Sequence, residues 1–226
     1  MKKLTALFLT LMLLCAAAIP ALAEEGKAES KSTAWPVIEM NGIPAQLISE
    51  GFGEKFRYQT FSGPGRGYSL SGAYLPRKVN VMAIGRENEY AMIDVEYSVG
   101  RRLVYLEAKY VIGGGIPEIS AAPVTARIKA TASQMYYGPG NQYDVVRQRT
   151  KSKYADMSMA ELMKIFDGDK KKIAQAVKDV FPAVKMPVGA RVSVLYEVNG
   201  WVCIESDCTE LGRARTWVPA DQVEAE

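Results

Sequence analysis

The 226-residue sequence contains no histidine. That absence removes Ser-His-Asp and Cys-His nucleophilic catalysis and every histidine-ligated zinc site. Cysteine is scarce, with three in the chain, too few for a disulfide scaffold. Charge of one sign is also missing: Lys and Arg number 28 against 25 Asp and Glu. A chain this close to neutral offers no electrostatic case for binding nucleic acid, and its scattered charges argue against an anionic membrane surface. Beyond residue 23 no segment approaches the roughly 20 apolar residues that a membrane-spanning helix needs.

What is present begins with an export signal. Lys2 and Lys3 precede the apolar run Leu4 to Ala18, and Pro20 precedes the small-residue site Ala21-Leu22-Ala23. Cleavage is expected before Glu24, which makes the protein extracytoplasmic: secreted, cell-wall associated or periplasmic. Removing 23 of 226 residues leaves 203 and takes Lys2 and Lys3 with it, so 26 basic residues face 25 acidic ones, a net charge of +1. Cys203 and Cys208 remain. Export permits a disulfide between them. In a plain strand ladder their five steps span about 16 Å, beyond bridging range, whereas a bulge or an early reversal would bring them together. A disulfide and two separate thiols both stay open.

The chain then repeats itself. Gly63-Pro64-Gly65 with Tyr68 is matched by Gly138-Pro139-Gly140 with Tyr143. Val79-Asn80-Val81 is matched by Val192-Ser193-Val194, and Tyr90-Ala91-Met92-Ile93 by Trp201-Val202-Cys203-Ile204. Gly100-Arg101 is matched by Gly212-Arg213, and the segment Tyr105 to Val111 by Trp217 to Val223. Five blocks in one order mark a tandem repeat. Alternation such as Ala91, Ile93 and Val95 against Met92, Asp94 and Glu96 marks strands with one buried face. Asn41-Gly42 predicts a tight turn between strands at 37–40 and 43–48. Gly113-Gly114-Gly115-Ile116-Pro117 breaks the regularity and reads as a joint.

The second copy carries 38 more residues between its Gly-Pro-Gly turn and its Val-x-Val strand, 54 against 16. This extra segment is predicted helical. Ser158 and Glu161 form a capping box before Leu162, Ile165 and Phe166. Gly168 ends that helix, and Asp169 caps a second one running to Phe181 and stopped by Pro182. Ile173, Ala176, Val177 and Val180 share one face. The run Lys170-Lys171-Lys172 opposes the helix dipole at the first turn and reads as a solvated face. The insert is expected to fill the space between the two repeated units.

These blocks resemble the bacterial SH3 domain, the SH3b family of exported modules. The resemblance rests on the Val-x-Val strands, on Tyr90 and Gly200-Trp201, and on the closing segments Tyr105 to Val111 and Trp217 to Val223. It departs at Phe61 and Tyr136, where the family carries Arg, and at Val104 and Thr216, where it carries Gly. It implies a mostly β fold of two small SH3-like barrels, the second with a two-helix insertion. The expected division is a signal peptide at 1–23, a disordered leader at 24–36, barrel 1 at 37–112 and a linker at 113–123. Barrel 2 lies at 124–226, with its insertion at about 147–186.

SH3-like barrels bind extended ligands in aromatic-lined grooves. The groove candidates are Tyr68, Tyr74, Tyr90 and Tyr105 in the first copy. In the second they are Tyr136, Tyr137, Tyr143, Trp201 and Trp217, any of which can instead pack a barrel end. No cofactor and no metal site are expected. The resemblance implies a non-catalytic protein that recognises cell-wall peptide or peptidoglycan. The alternative is an envelope protein–protein adaptor or assembly factor using the helical insertion. A carboxylate-based enzyme working through Asp167/Asp169 or Glu205/Asp207 is the third reading, and helix capping and turn chemistry account for those pairs.

Overall fold

The computed structural model describes residues 35–226 apart from 49–50, 52, 98–99, 130–131 and 209–210, and the side chains of Tyr97 and Cys208. The expected export signal and the leader up to residue 34 lie outside the described residues. Residues 35–226 form one compact body, mostly β with two α-helices.

Two lobes share one strand plan. The first contains β1 (Ile43–Leu47), β2 (Arg57–Phe61), β3 (Leu70–Pro76), β4 (Asn80–Glu87), β5 (Tyr90–Tyr97), β6 (Gly100–Glu107) and β7 (Val111–Ile112). The second contains β8 (Val124–Ile128), β9 (Ser133–Gln134), β10 (Lys185–Met186), β11 (Arg191–Val198), β12 (Trp201–Cys208), β13 (Gly212–Pro219) and β14 (Val223–Ala225). The spatial order β6-β5-β4-β1-β7 in the first lobe matches β13-β12-β11-β8-β14 in the second. A 3-10 turn, Ala108–Tyr110 or Ala220–Gln222, leads into the last strand of each. Its first N–H is held alike in both, Ala108 donating to the Glu89 carbonyl at 2.7 Å and Ala220 to the Gly200 carbonyl at 2.8 Å. The sheets are open: β3 and β7 bound one, β13 and β14 the other.

Local chemistry explains the strands. Asn199 and Gly200 both take positive φ, 50° and 78°, the two-residue turn that matches strand twist in β11–β12. Alternation buries Val81 and Ala83 on β4 and Val192 and Val194 on β11. Then both strands bulge at the same place, between Ala83 and Gly85 and between Val194 and Tyr196. A bulge re-aims the side chain it releases. Ala83 and Val194 stay in the cores of their own lobes, while Ile84 and Leu195 turn into a third cluster shared by both. A lobe this small buries only about 60% of its unfolded surface, so the shared cluster completes two marginal cores.

The lobes diverge between their first and second long sheet strands. In the first lobe β2 and β3 form a hairpin joined to β6 through Phe61 and Tyr105. In the second, β9 and β10 form a short ribbon, and the helices α1 (Met159–Ile165) and α2 (Lys170–Val180) lie between them in sequence. The capping box forms as expected, Glu161 N–H donating to Ser158 Oγ at 3.2 Å and Ser158 N–H to Glu161 Oε2 at 2.7 Å. Asp169 Oδ1 accepts from the N–H groups of Lys171 and Lys172 at 3.0 and 3.2 Å. No residue of α1 or α2 belongs to the shared cluster. The expectation that the insert fills the space between the units is therefore replaced: side chains of the two sheets fill it.

Two segments tie the lobes further. Trp35, expected in the leader, is buried in the core of the second lobe, and Glu197 N–H donates to the Pro36 carbonyl at 2.7 Å. The Asn41-Gly42 hairpin does not form. Val37 bridges Glu197 and β1 pairs with β4 and β7, so the chain crosses from one lobe to the other where a turn was expected. Gly42 serves close approach instead, since a Cβ there would lie 3.1 Å from Met82. Between β7 and β8, Arg86 N–H donates to the Pro117 carbonyl and Ile119 N–H to the Arg86 carbonyl, each at 2.7 Å.

Candidate functional site

Four of the nine expected ring residues, Tyr68, Tyr105, Tyr143 and Trp217, are buried. Tyr90, Tyr136, Tyr137 and Trp201 are half-buried, and Tyr74 is 55% exposed on β3. Tyr105, Tyr143 and Trp217 belong to the shared cluster with Tyr196, and Tyr90, Tyr136 and Trp201 pack against it. Tyr105 and Tyr196 meet hydroxyl to hydroxyl at 3.1 Å across the lobes. Trp201 packs edge-on against Tyr136 at 5.1 Å, and Phe61 does the same to Tyr90 at 6.1 Å.

The tyrosines after the two Gly-Pro-Gly turns are exchanged. Tyr68 of the first lobe donates its hydroxyl to Glu205 on β12, at 2.5 Å. Tyr143 of the second donates to Asp94 on β5, at 2.9 Å. Asp94 and Glu205 stand at matching places in the repeat, four residues after Tyr90 and Trp201. Each carboxylate is held by the matching arginine of its own lobe, Arg101 Nη2 at 2.5 Å from Asp94 and Arg213 Nη2 at 2.6 Å from Glu205. Each guanidinium also lies over the ring that arrives from the other lobe, Arg101 5.0 Å from the Tyr143 centroid and Arg213 4.6 Å from that of Tyr68. The backbone repeats the exchange, Ser69 N–H donating to the Arg213 carbonyl at 2.8 Å and Asp144 N–H to the Arg101 carbonyl at 2.9 Å. A Cβ on Gly63 or Gly138 would stand 2.2 Å from the ring of Tyr68 or Tyr143, which is why glycine opens both turns. The interface is thus isologous in the sense of a two-fold dimer, written within one chain.

One buried cluster breaks the symmetry. Arg215 takes the place of Leu103 and donates to Glu87 of the first lobe at 2.5 and 2.9 Å and to Glu205 at 2.9 Å. Its side chain is 6% exposed. Burial alone would weaken its hold on the proton, but the hydrogen bonds to Glu87 and the nearby Tyr105, Cys203 and Tyr196 raise it above the ordinary value. Burial alone would push Glu205 up, yet hydrogen bonds from Tyr68, Arg213 and Arg215 outweigh it and hold the carboxyl below the usual range. A carboxylate clamped in its ionised form makes a poor general acid. Asp169 is spent on capping α2. Burial pushes Tyr68 up to about 12 and raises Tyr105, Tyr143 and Tyr196 as well. Cys203 is a free, buried thiol pushed up to about 12 by burial, hence unreactive at neutral pH. β12 runs from Trp201 to Cys208 against β13 without a register shift; the Cys208 side chain lies outside those described.

Among the described residues, the first lobe carries an aromatic-edged cleft of about 650 Å³ between β2, its loop and the 3-10 turn. Phe56 and Tyr110 edge it, both half-buried, and Tyr58 lies between them in the core of the lobe, 2% exposed, meeting Phe56 edge-on at 4.9 Å and Tyr110 at 5.2 Å. Tyr58 is anchored by its hydroxyl on the Ile48 carbonyl at 2.5 Å. Arg66 and Glu107, paired at 2.8 Å, form part of the lining, and Leu70 is 47% exposed beside them. Of the expected groove residues only Tyr68 touches this cleft. Phe56, Tyr58 and Tyr110 were not among them. The signal existed: Tyr110-Val111 is the closing Tyr-Val of the first copy, and the second copy reads Gln222-Val223 there.

No family model matches the chain, and no curated protein matches it significantly. Two solved structures are distantly similar: NlpC2 from Trichomonas vaginalis, at 11% identity and a TM-score of 0.27 over 84% of this chain, and NlpC1 from the same organism, at 10% identity and a TM-score of 0.27 over 85%. The chain spans about half the length of each, 50% and 49%. Likenesses this distant carry no weight for what the chain does.

Proposed function

We propose that the chain is an exported, non-catalytic recognition protein of the bacterial envelope. In this reading two divergent SH3b-like rolls are locked face to face, and the first binds an extended cell-wall peptide in its open cleft. The observation that carries it is the pair of half-buried rings Phe56 and Tyr110 edging a cleft of about 650 Å³, with the core ring Tyr58 backing both. Flat rings offer large contact area to an extended chain, and the exposed arginine Arg57 in the lining suits a carboxylate of a wall peptide. The second roll has Gln222 where the first has Tyr110, and in this reading it acts as a buttress.

Sedimentation with insoluble peptidoglycan tests the proposal. The purified protein is expected to pellet with it. Tyr110→Ala is expected to weaken binding at least roughly tenfold, while Tyr74→Ala, on an exposed ring outside the cleft, leaves it unchanged. Failure to pellet, or equal binding by both variants, overturns the reading.

A further inference from the structure

The helical insertion presents an apolar trough that none of the described residues covers. Met159 and Met163 stand one turn apart on α1. Ile173 and Val177 stand one turn apart on α2, and Phe181 continues their row. Together they line a groove of about 570 Å³. Met159 is 56% exposed, Met163 53% and Phe181 41%. Large apolar side chains clustered in the open mark a contact surface, and methionine adapts to varied partners. Only Leu162, Ala176 and Val180 of the two helices are buried against the body.

The charges around the trough are of one sign. Arg147, Lys170 and Lys178 line it, and among the described residues no carboxylate does. A second copy of this chain would bring these cations against their own equivalents, which like-charge repulsion opposes. A bilayer takes up protruding apolar faces, whereas here the apolar atoms line a depression between two helices. A helix fits such a depression, laying residues spaced three or four apart into it.

We propose that the trough between α1 and α2 docks an amphipathic helix of another envelope protein, one with apolar anchors a turn apart flanked by Asp and Glu. This surface is separate from the first-lobe cleft, and the proposal stands or falls independently of wall binding.

The probe is a labelled helical peptide with leucines one turn apart and glutamate flanks, titrated into the full protein beside a twin with lysine flanks. The glutamate peptide is expected to bind at least about tenfold more tightly than its twin. Met163→Lys and Phe181→Asp, both at exposed positions, are expected to weaken it at least tenfold with the circular dichroism unchanged. Lys170→Glu combined with Lys178→Glu is expected to reverse the preference. Equal binding of the two peptides, or no binding of either, overturns the proposal. So does concentration-dependent self-association, or binding to phosphatidylglycerol vesicles without peptide selectivity, if Met163→Lys abolishes it.

Discussion

The two lobes place five strands in one order and treat the same intervening position in opposite ways. The first lobe inserts a hairpin, β2–β3, and keeps an aromatic cleft beside it. The second inserts two helices and keeps an apolar trough between them. What they share is the face each turns to the other: a bulged strand, a glycine-opened turn, and a tyrosine reaching for its neighbour's carboxylate. The comparison teaches that the shared plan is spent on joining the lobes, while the two insertions leave different surfaces beside it.

Alkaline pH should break the shared face most thoroughly. Tyr68, Tyr105, Tyr137, Tyr143 and Tyr196 all have raised values, burial being the first cause in each. The folded protein therefore holds protons that the unfolded chain releases near pH 10. Stability is fully present below that pH and falls as pH rises through the higher folded values, about 12 for Tyr68. Absorbance titration is expected to show a delayed group of phenols that ionise together with loss of near-UV circular dichroism. Smooth ionisation of every tyrosine near pH 10, with the fold intact, would contradict the buried interface.

Arg215→Leu writes the first lobe's Leu103 into the second and sharpens the comparison at its one asymmetric cluster. Glu87 then keeps no ion-pair partner among the described residues, and stability in urea unfolding is expected to drop by about 3–5 kcal/mol. Adding Glu87→Gln should recover part of the loss. A loss below about 1 kcal/mol would show that the cluster is solvated.

Tyr68→Phe and Tyr143→Phe test the symmetry itself. Each removes a hydrogen bond to a carboxylate, expected to cost about 1.5–3 kcal/mol, and similar losses are expected because each carboxylate keeps the arginine of its own lobe. Joined in one chain, the two should add to within about 0.5 kcal/mol if the sites are independent. A large loss for one and none for the other would disprove equivalent roles.

Much of the architecture was legible because its signals are local. The capping box at Ser158 and Glu161, the cap at Asp169 and the stop at Gly168 act over a few residues, and each is found where the spacing put it. The site was less legible. Tyr68 and Tyr143 stand out in sequence as ring residues after a turn, and whether such a ring is open or covered depends on what lies opposite. Asn41-Gly42 misled for a related reason: the pull of Glu197 on the preceding segment outweighed local turn preference.

By itself the sequence determined the absence of histidine chemistry, the doubled strand plan and the helical insertion, since composition and periodicity are properties of short stretches. Only the tertiary structure decided that the two lobes plug each other's rings. Tyr68 meets Glu205 across 137 residues of chain and Tyr143 meets Asp94 across 49. No local propensity encodes such pairings; they arise because two small cores, each too small to hide its own apolar face, bury more surface together than apart.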